Sequence, residues 1–535
     1  MAIGNPPQWE SIAQAKRAAL LQSIPPDWII SDDLLPPDDQ LDVTSFPKTS
    51  GFFTERELEI TSTRIPQLLE KIHTQLLTSE EVTKAFCKRA AVAHQLTNCL
   101  SETLFPEALA SAKALDEHLQ KTGETVGPLH GLPISLKDHF NIAGKDSTVG
   151  FVSWVGKPAT YDSALVEILK KAGAVLYVKT NVPTAMMIAE SVNNTFGRTV
   201  NPLNRKLTSG GSSGGESALI AFGGSLIGVG SDIGGSLRIP AACTGIFTLK
   251  PSSGRFPTGG CVSGLAGQEA VSSINGPMAK YLDDIEFYAK TVVGAEPWKS
   301  DPKCLPIPWR SVSVKPKLKL GVMWNDGNVR PTPPVQRALR ETVEKLKAAG
   351  HEVIDWEPTL HLEAQELLSG FFLADGGKTV REILDEVQEP FRPEMKGYAD
   401  ASEIGANELW KRHLQRTQLC KDYLDRWTKA GVDAIICPTT PYTSVEHGKF
   451  KYVGYTGVFN IVDYSAVSWP SGMYADKSLD QPKIDAEPFS ALDAEIQQDY
   501  DAEVVHGMPI SLQLVAQRLE DEKAIAMTRL VLEAL

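Results

Sequence analysis

From Gly210 to Pro240 the chain reads GGSSGGESALIAFGGSLIGVGSDIGGSLRIP. Two serine-bearing glycine clusters, Gly210-Gly211-Ser212-Ser213-Gly214-Gly215 and Asp232-Ile233-Gly234-Gly235-Ser236, enclose an apolar segment, Ala218 to Phe222, and a strand-like run, Leu226 to Gly230. Glycine at this density is entropically costly and is found where backbone turns tightly or approaches a ligand. Successive N–H groups free of neighbouring side chains form an anion-binding nest. A serine beside such a nest has what acyl transfer needs, a nucleophile with donors aimed at the oxyanion that develops next to it. Other uses of glycine fail on spacing or context. No Gly-Lys-Ser/Thr follows either cluster, which excludes the nucleotide-triphosphate loop, and Gly228-Val229-Gly230 meets its next glycine one residue late, at Gly234, which excludes the dinucleotide fingerprint. Gly210-Gly211-Ser212-Ser213-Gly214 does satisfy G-x-S-x-G, the hydrolase elbow, but that elbow follows directly on a strand. Here the preceding Asn201 to Ser209 reads as polar and turn-rich.

Well upstream, Gly131-Leu132-Pro133-Ile134-Ser135-Leu136-Lys137-Asp138 places a lysine at the end of a short apolar strand. This lysine, the two serine clusters, Asp232 and the closing Ser236-Leu237-Arg238-Ile239-Pro240 together resemble the amidase-signature family of serine amidohydrolases. The resemblance covers most of the chain and is strongest to fungal general amidases of the acetamidase type, through Gly267-Gln268-Glu269-Ala270-Val271, Ile274-Asn275-Gly276-Pro277-Met278 and Gly294-Ala295-Glu296-Pro297-Trp298. Lys179-Thr180-Asn181-Val182-Pro183, the following Met186, and Asp375-Gly376-Gly377 also recur in fatty-acid amide hydrolases.

The resemblance implies an α/β fold, a single large mixed β-sheet sandwiched between helix layers. It implies an amidohydrolase that cleaves a carboxylic acid amide to the acid plus ammonia or amine through an acyl-serine. Ser236 would attack the carbonyl, and the backbone N–H groups of Ile233, Gly234, Gly235 and Ser236 would hold the oxyanion, each such donor being worth about 3 kcal/mol. Ser212, preceded by a cis peptide, would relay the proton between Ser236 and Lys137 and later to the leaving nitrogen. Ser213, Asp232 and Arg238 would brace the nucleophile loop. Met186, Met187 and Gln268 are candidates for the substrate pocket, although packing explains the methionines equally well. Amides are poor electrophiles with a poor leaving group, so both an activated nucleophile and a delivered proton are required. To accept a proton Lys137 must be neutral, while lysine ordinarily titrates at about 10.4; burial beside Ile134 and Leu136 lowers that value.

The rival chemistries lack a motif. The ten histidines, His130 and His139 around the lysine strand among them, sit in unrelated contexts and read as structural. No H-E-x-x-H is present, and neither a metal nor a cofactor is called for. No cysteine has a marked electropositive setting. Two related activities stay open, hydrolysis of fatty-acid or other N-acyl amides and a glutamine-dependent transamidation subunit, as does a non-catalytic binding protein. Around Asn407 to Lys429 the chain is charged on most faces, unlike the apolar helical cap of membrane-active relatives.

The resemblance implies a small-molecule amide as the partner, and composition speaks against two other classes. The 535 residues are 42% hydrophobic and 22% charged with a net charge of −13, which gives nucleic acid or an anionic membrane no electrostatic support. Seven scattered cysteines without C-x-x-C spacing indicate reduced thiols and a cytoplasmic protein. No signal peptide is legible, and no run approaches the ~20 apolar residues that span a bilayer. The oligomeric state is open, a homodimer included.

Residues 1–60 read as an N-terminal helix and strap, proline-rich at Pro6, Pro7, Pro25, Pro26, Pro36 and Pro37, with a helix around Ile12 to Leu21; residues 61–535 read as the catalytic domain. The spacing predicts helices over Ile65 to Leu76, after a Thr78/Glu81 capping box, after an Asp162 cap, and over Tyr281 to Val293, Val335 to Ala349 and Glu520 to Leu535. It predicts strands at Pro133–Lys137, Ala174–Val178, Leu226–Gly230, Gly245–Leu249, Leu318–Met323, Glu352–Trp356, Ala434–Pro438 and Met508–Val515. Pro358 to Gly431 is expected to be mostly helical, and the acidic Asp476 to Glu503 a solvated loop or partial helix.

Overall fold

A computed structural model describes residues 8–482 and 487–535. Eleven strands form one sheet. Along the chain these are β1 (Leu100–Thr103), β2 (Pro133–Lys137), β3 (Val175–Thr180), β4 (Ile227–Asp232), β5 (Phe247–Lys250), β6 (Ile274–Ala279), β7 (Lys319–Val322), β8 (Glu352–Asp355), β9 (Ala434–Pro438), β10 (Ser465–Tyr474) and β11 (Pro509–Ala516). In space they run β1-β3-β2-β4-β6-β5-β10-β11-β9-β7-β8. The pairs β2/β3, β2/β4, β7/β8 and β7/β9 are parallel and the others antiparallel, so the sheet is mixed, as expected. β2, β3, β4, β9 and β11 are buried at every residue, the mark of a sheet covered on both faces.

Three strands were not legible. β1, Leu-Ser-Glu-Thr, is short, polar and at the sheet edge. β6, Ile-Asn-Gly-Pro-Met-Ala, carries a proline that argues against an interior strand; Pro277 faces Val229 in register, and its carbonyl accepts from Thr248 Oγ1 at 2.8 Å. β10 contains Pro470 and Gly472 and is irregular between Pro470 and Tyr474. Conversely, the turn-rich segment before Gly210 does hold a strand, Asn204–Thr208, which pairs with Val200–Asn201 in a two-stranded ribbon outside the main sheet and bridges from Leu207 to Glu446.

Two cap assignments are corrected. Thr78 Oγ1 accepts the Glu81 N–H at 3.0 Å, but Glu81 does not reach back; its carboxylate takes Arg56 Nε at 2.8 Å. The helix Ala164–Lys171 is preceded by Ser163, while Asp162 accepts from the Ala143 N–H at 2.9 Å and Lys170 Nζ at 2.6 Å.

The N-terminal helix spans Gln8–Gln22. Lys16 ties it to Glu102 and, at 2.8 Å, to Asp146, and Arg17 donates to the carbonyls of Asn194 and Thr195. Beyond it Ile24, Trp28, Ile30, Val43, Phe46 and Phe53 are buried in the same hydrophobic core as β2 and β3. Pro6 and Pro7 lie outside the described residues. His361–Phe372, Lys378–Asp385, Lys396–Ala399 and Ala406–Ala430 supply the helices expected between Pro358 and Gly431. The acidic segment contains a helix, Ala491–Asp499; its residues 483–486 lie outside the described residues. Among the described residues no helix is long and apolar enough to cross a membrane.

Candidate active site

β2 and β4 are parallel neighbours, so their carboxyl ends reach the same edge of the sheet, where open α/β sheets keep their ligand crevices. Lys137 is the last residue of β2; Ser231 and Asp232 are the last two of β4. The Lys137 side chain is fully buried, with Nζ 2.7 Å from Ser212 Oγ and 2.9 Å from Ser231 Oγ. Burial pushes its ammonium down to about 7, against the opposing pull of Asp232, Glu216 and Asp138.

Ser212 lies at the entrance to the helix Gly214–Phe222. The Gly211–Ser212 peptide is cis. Gly211 passes so close to neighbouring backbone that a Cβ there would stand 2.6 Å from the Ile188 carbonyl oxygen, so no side chain fits. Ser213 joins the two serine clusters: its Oγ is 3.3 Å from the Ser231 carbonyl oxygen, and its N–H donates to the Ser236 carbonyl at 3.2 Å. Ser236 is half-buried, whereas Ser212 and Lys137 are buried.

The loop before Ser236 is held by one peptide. The Gly234 carbonyl accepts from Thr456 Oγ1 at 2.7 Å, and the Gly235 N–H on the other side donates to Asp232 Oδ1 at 2.8 Å. Of the four amides expected to face an oxyanion, that of Gly235 is therefore engaged with Asp232. Gly235 has φ of +136°, and a Cβ there would run into Thr456. Asp232 also receives Arg238 Nε at 3.0 Å, Arg238 Nη2 at 3.1 Å and Asn460 Nδ2 at 2.8 Å, and Arg238 continues to Gln513 Oε1 at 3.2 Å. Burial alone would raise the Asp232 carboxyl, but Arg238 and Asn460 outweigh it and hold it at about 2.

Met186 lines a largely polar cavity of about 270 Å³ together with His139, Cys261 and Asn275. Gln268 lines it too, although both ends of its side-chain amide bond to the backbone of Val271 at 3.0 Å. Met187 does not line it and packs against the apolar cluster that holds Met186, Val149 and Phe151. A second cavity of about 490 Å³ is lined by Leu265, Phe371, Phe372, Ile404 and Leu409. One residue of its lining, Phe372, stands beside the nucleophile loop, since a Cβ at Gly234 would meet its ring at 3.6 Å.

Histidine and cysteine take other parts. His94, His130 and His351 accept backbone N–H groups of Leu100, Val126 and Leu318, and His361 faces the Tyr423 hydroxyl. His139 stands 3.3 Å from Asn275 Oδ1, and burial together with the Lys137 charge holds it well below its ordinary value. Burial pushes the thiols of Cys99, Cys243, Cys261 and Cys304 up to about 12. Sequence reasoning missed Ser231, Thr456, Asn460 and Gln513. Ser231 adjoins Asp232 and was within reach of a strand reading. The other three arrive from the helix Gly454–Ile461 and from β11, and no local pattern ties them to the glycine stretch.

The sequence profile described as Amidase matches residues 81–525. An acetamidase of Emericella nidulans is 43% identical over 537 residues, which cover 97% of both chains. An acetamidase of Aspergillus oryzae is 40% identical over 540 residues, covering 98% of both. Among solved structures, a fatty acid amide hydrolase superposes with a TM-score of 0.94 at 36% identity, covering 98% of this chain and 95% of that one.

Proposed function

Because the chain belongs to the amidase signature family and is an amide hydrolase, we propose that it hydrolyses small carboxylic acid amides through an acyl-Ser236 intermediate, with Ser212 and Lys137 as its proton relay. The observation that carries this reading is the buried lysine with Nζ 2.7 Å from the Ser212 hydroxyl, next to Ser213, whose N–H donates to the carbonyl of half-buried Ser236 at 3.2 Å. Ser236 Oγ attacks the carbonyl carbon; its proton passes to Ser212 as the proton of Ser212 passes to neutral Lys137. The oxyanion is held by the amides of Ile233, Gly234 and Ser236, while the Gly235 amide keeps the loop in shape through Asp232. As the C–N bond breaks, the nitrogen takes a proton from Ser212, which is refilled from the Lys137 ammonium. Water then repeats the attack on the ester and returns the serine.

The test is ammonia release from a panel of amides, acetamide first because the acetamidases are near full-length relatives. Ser236→Ala is expected to lower kcat by roughly a thousandfold or more. Wild-type kcat/KM is expected to climb with pH and level off above about 7, as Lys137 loses its proton. Activity retained in Ser236→Ala sinks the reading.

A second reading, hydrolysis of longer N-acyl amides, is favoured by the cavity of about 490 Å³ with Phe371, Phe372 and Leu409 in its lining. The same panel, extended through benzamide to long-chain amides, decides it: kcat/KM that rises with acyl length supports the longer substrates.

A further inference from the structure

Glu216 is the acidic residue of the glycine stretch that the chemistry above leaves unused. It sits in the first turn of the helix Gly214–Phe222 with its side chain fully buried against the sheet. One carboxyl oxygen accepts from Ser135 Oγ, and the other accepts from Thr180 Oγ1 at 2.7 Å. Ser135 precedes Lys137 by two residues on β2 and so shares its face of the strand. Thr180 is the register partner of Lys137 on β3. Across from Ser135 on β4 stands Gly228, where a Cβ would collide with the Glu216 carboxyl. The carboxyl therefore spans β2, β3 and β4 at the root of the lysine, in space that a missing side chain keeps open.

The charges around the two groups are few. Facing Lys137 are Asp232, Glu216 and Asp138, with His139 two residues along the chain. Facing Glu216 are Lys137 and the uncharged Cys99 and Tyr177. Asp232 is answered by Arg238 at 3.0 Å. Asp138 accepts from Ser101 Oγ and the Val149 N–H, both at 2.7 Å, and faces the buried ammonium of Lys179. Among the described residues, the cation that faces Glu216 is Lys137.

We propose that Glu216 is a positioning residue for Lys137, which pins the strand pair carrying the lysine and supplies the negative charge facing the ammonium that forms when Lys137 takes its proton from Ser212. The proposal rests on the reading of Lys137 as the base. An ammonium formed in a water-free pocket is costly unless a carboxylate faces it. Burial pushes the Glu216 carboxyl up to about 7, against the pull of the Ser135 and Thr180 hydroxyls and of Lys137. Buried groups that interact in this way titrate as a pair.

The experiment compares the pH dependence of kcat/KM on one primary amide for wild type, Glu216→Gln, Thr180→Val and Lys137→Ala, with circular dichroism and thermal unfolding to confirm that each variant is folded. In Glu216→Gln the acid limb is expected to move to lower pH by about half a unit or more, because Lys137 loses the anion that favours its protonated form. The plateau is expected to fall about tenfold, because the ammonium loses its facing charge. Thr180→Val keeps the carboxyl but removes one donor, so its limb moves the same way by less. A folded Glu216→Gln whose acid limb stays in place overturns the proposal, whether or not its plateau falls. If Glu216→Gln does not fold, the limb of Thr180→Val decides, and an unmoved limb overturns it. The Lys137→Ala arm separates the two failures: wild-type activity there overturns the lysine as base, whereas an inactive Lys137→Ala beside an unmoved Glu216→Gln limb overturns only the part given to Glu216.

Discussion

Burying Lys137 as a neutral amine means that the folded chain gives up a proton the unfolded chain keeps. The folded value is about 7, the unfolded value about 10.4. Between the two the unfolded state binds more protons, so stability rises with pH across that window, and below about pH 7 the penalty is present in full. Lys137→Met should therefore raise stability at neutral pH by a few kcal/mol while abolishing activity, the trade expected of a destabilised active-site group. Urea unfolding checks the sign: the gain over wild type should be large at about pH 7 and shrink toward about pH 10. Asp232 runs the other way. Held at about 2, against about 3.9 when unfolded, it contributes stability that is complete above that unfolded value and lost as pH falls toward the folded one. Arg238→Met leaves this buried carboxylate unanswered and should cost about 3–5 kcal/mol, read as a lower urea midpoint. At this scale Lys137, Ser212, Ser213, Asp232, Ser236 and Arg238 could be proposed from the sequence because each falls on a motif that carries the family resemblance, beside a glycine cluster or in an apolar strand. Thr456 and Asn460 were not, because only packing brings them there.

Among elements, the peptide between Gly234 and Gly235 shows how a loop is held without a disulfide or a metal. Thr456, on a helix far along the chain, fixes its carbonyl, and Asp232 fixes its N–H. Thr456→Val removes the first of these and should lower kcat about tenfold with KM little changed, because the neighbouring Ile233, Gly234 and Ser236 amides lose alignment with charge present only in the transition state. Steady-state kinetics on the preferred amide checks this, and an unchanged kcat contradicts it. Elements were legible where hydrophobic pattern and burial agree: β2 and β9 begin and end where the apolar runs do. They were hidden where tertiary context overrides propensity, as at Pro277 in β6 and Pro470 in β10, or where a polar edge strand such as β1 has no pattern of its own.

In the whole molecule, the strap ahead of residue 61 is part of the body it crosses. Trp28, Val43 and Phe46 share one core with β2 and β3. We propose that residues 1–60 remain a distinct segment in sequence but not in stability: their deletion should give a chain that aggregates or unfolds well below wild type, checked by size exclusion and thermal unfolding. The mixed sheet between helices was legible from the strand–helix alternation and the family resemblance, whereas its strand order was not, since nothing local in β5 names β10 as its partner. That pairing has a consequence for synthesis. β1 to β6 make one half of the sheet and β7 to β11 the other, and the halves pair where Thr248, Leu249 and Lys250 face Ser468, Val467 and Ala466. A chain emerging from the ribosome can complete the half that holds Lys137, Ser212 and Ser236, yet β5 keeps an open edge until residues 465–474 have been made. An unpaired edge of this kind recruits strands from other chains. The interval between translating β6 and translating β10 is thus when the nascent protein most needs a chaperone, and slowing elongation there should cost more yield than slowing it anywhere later.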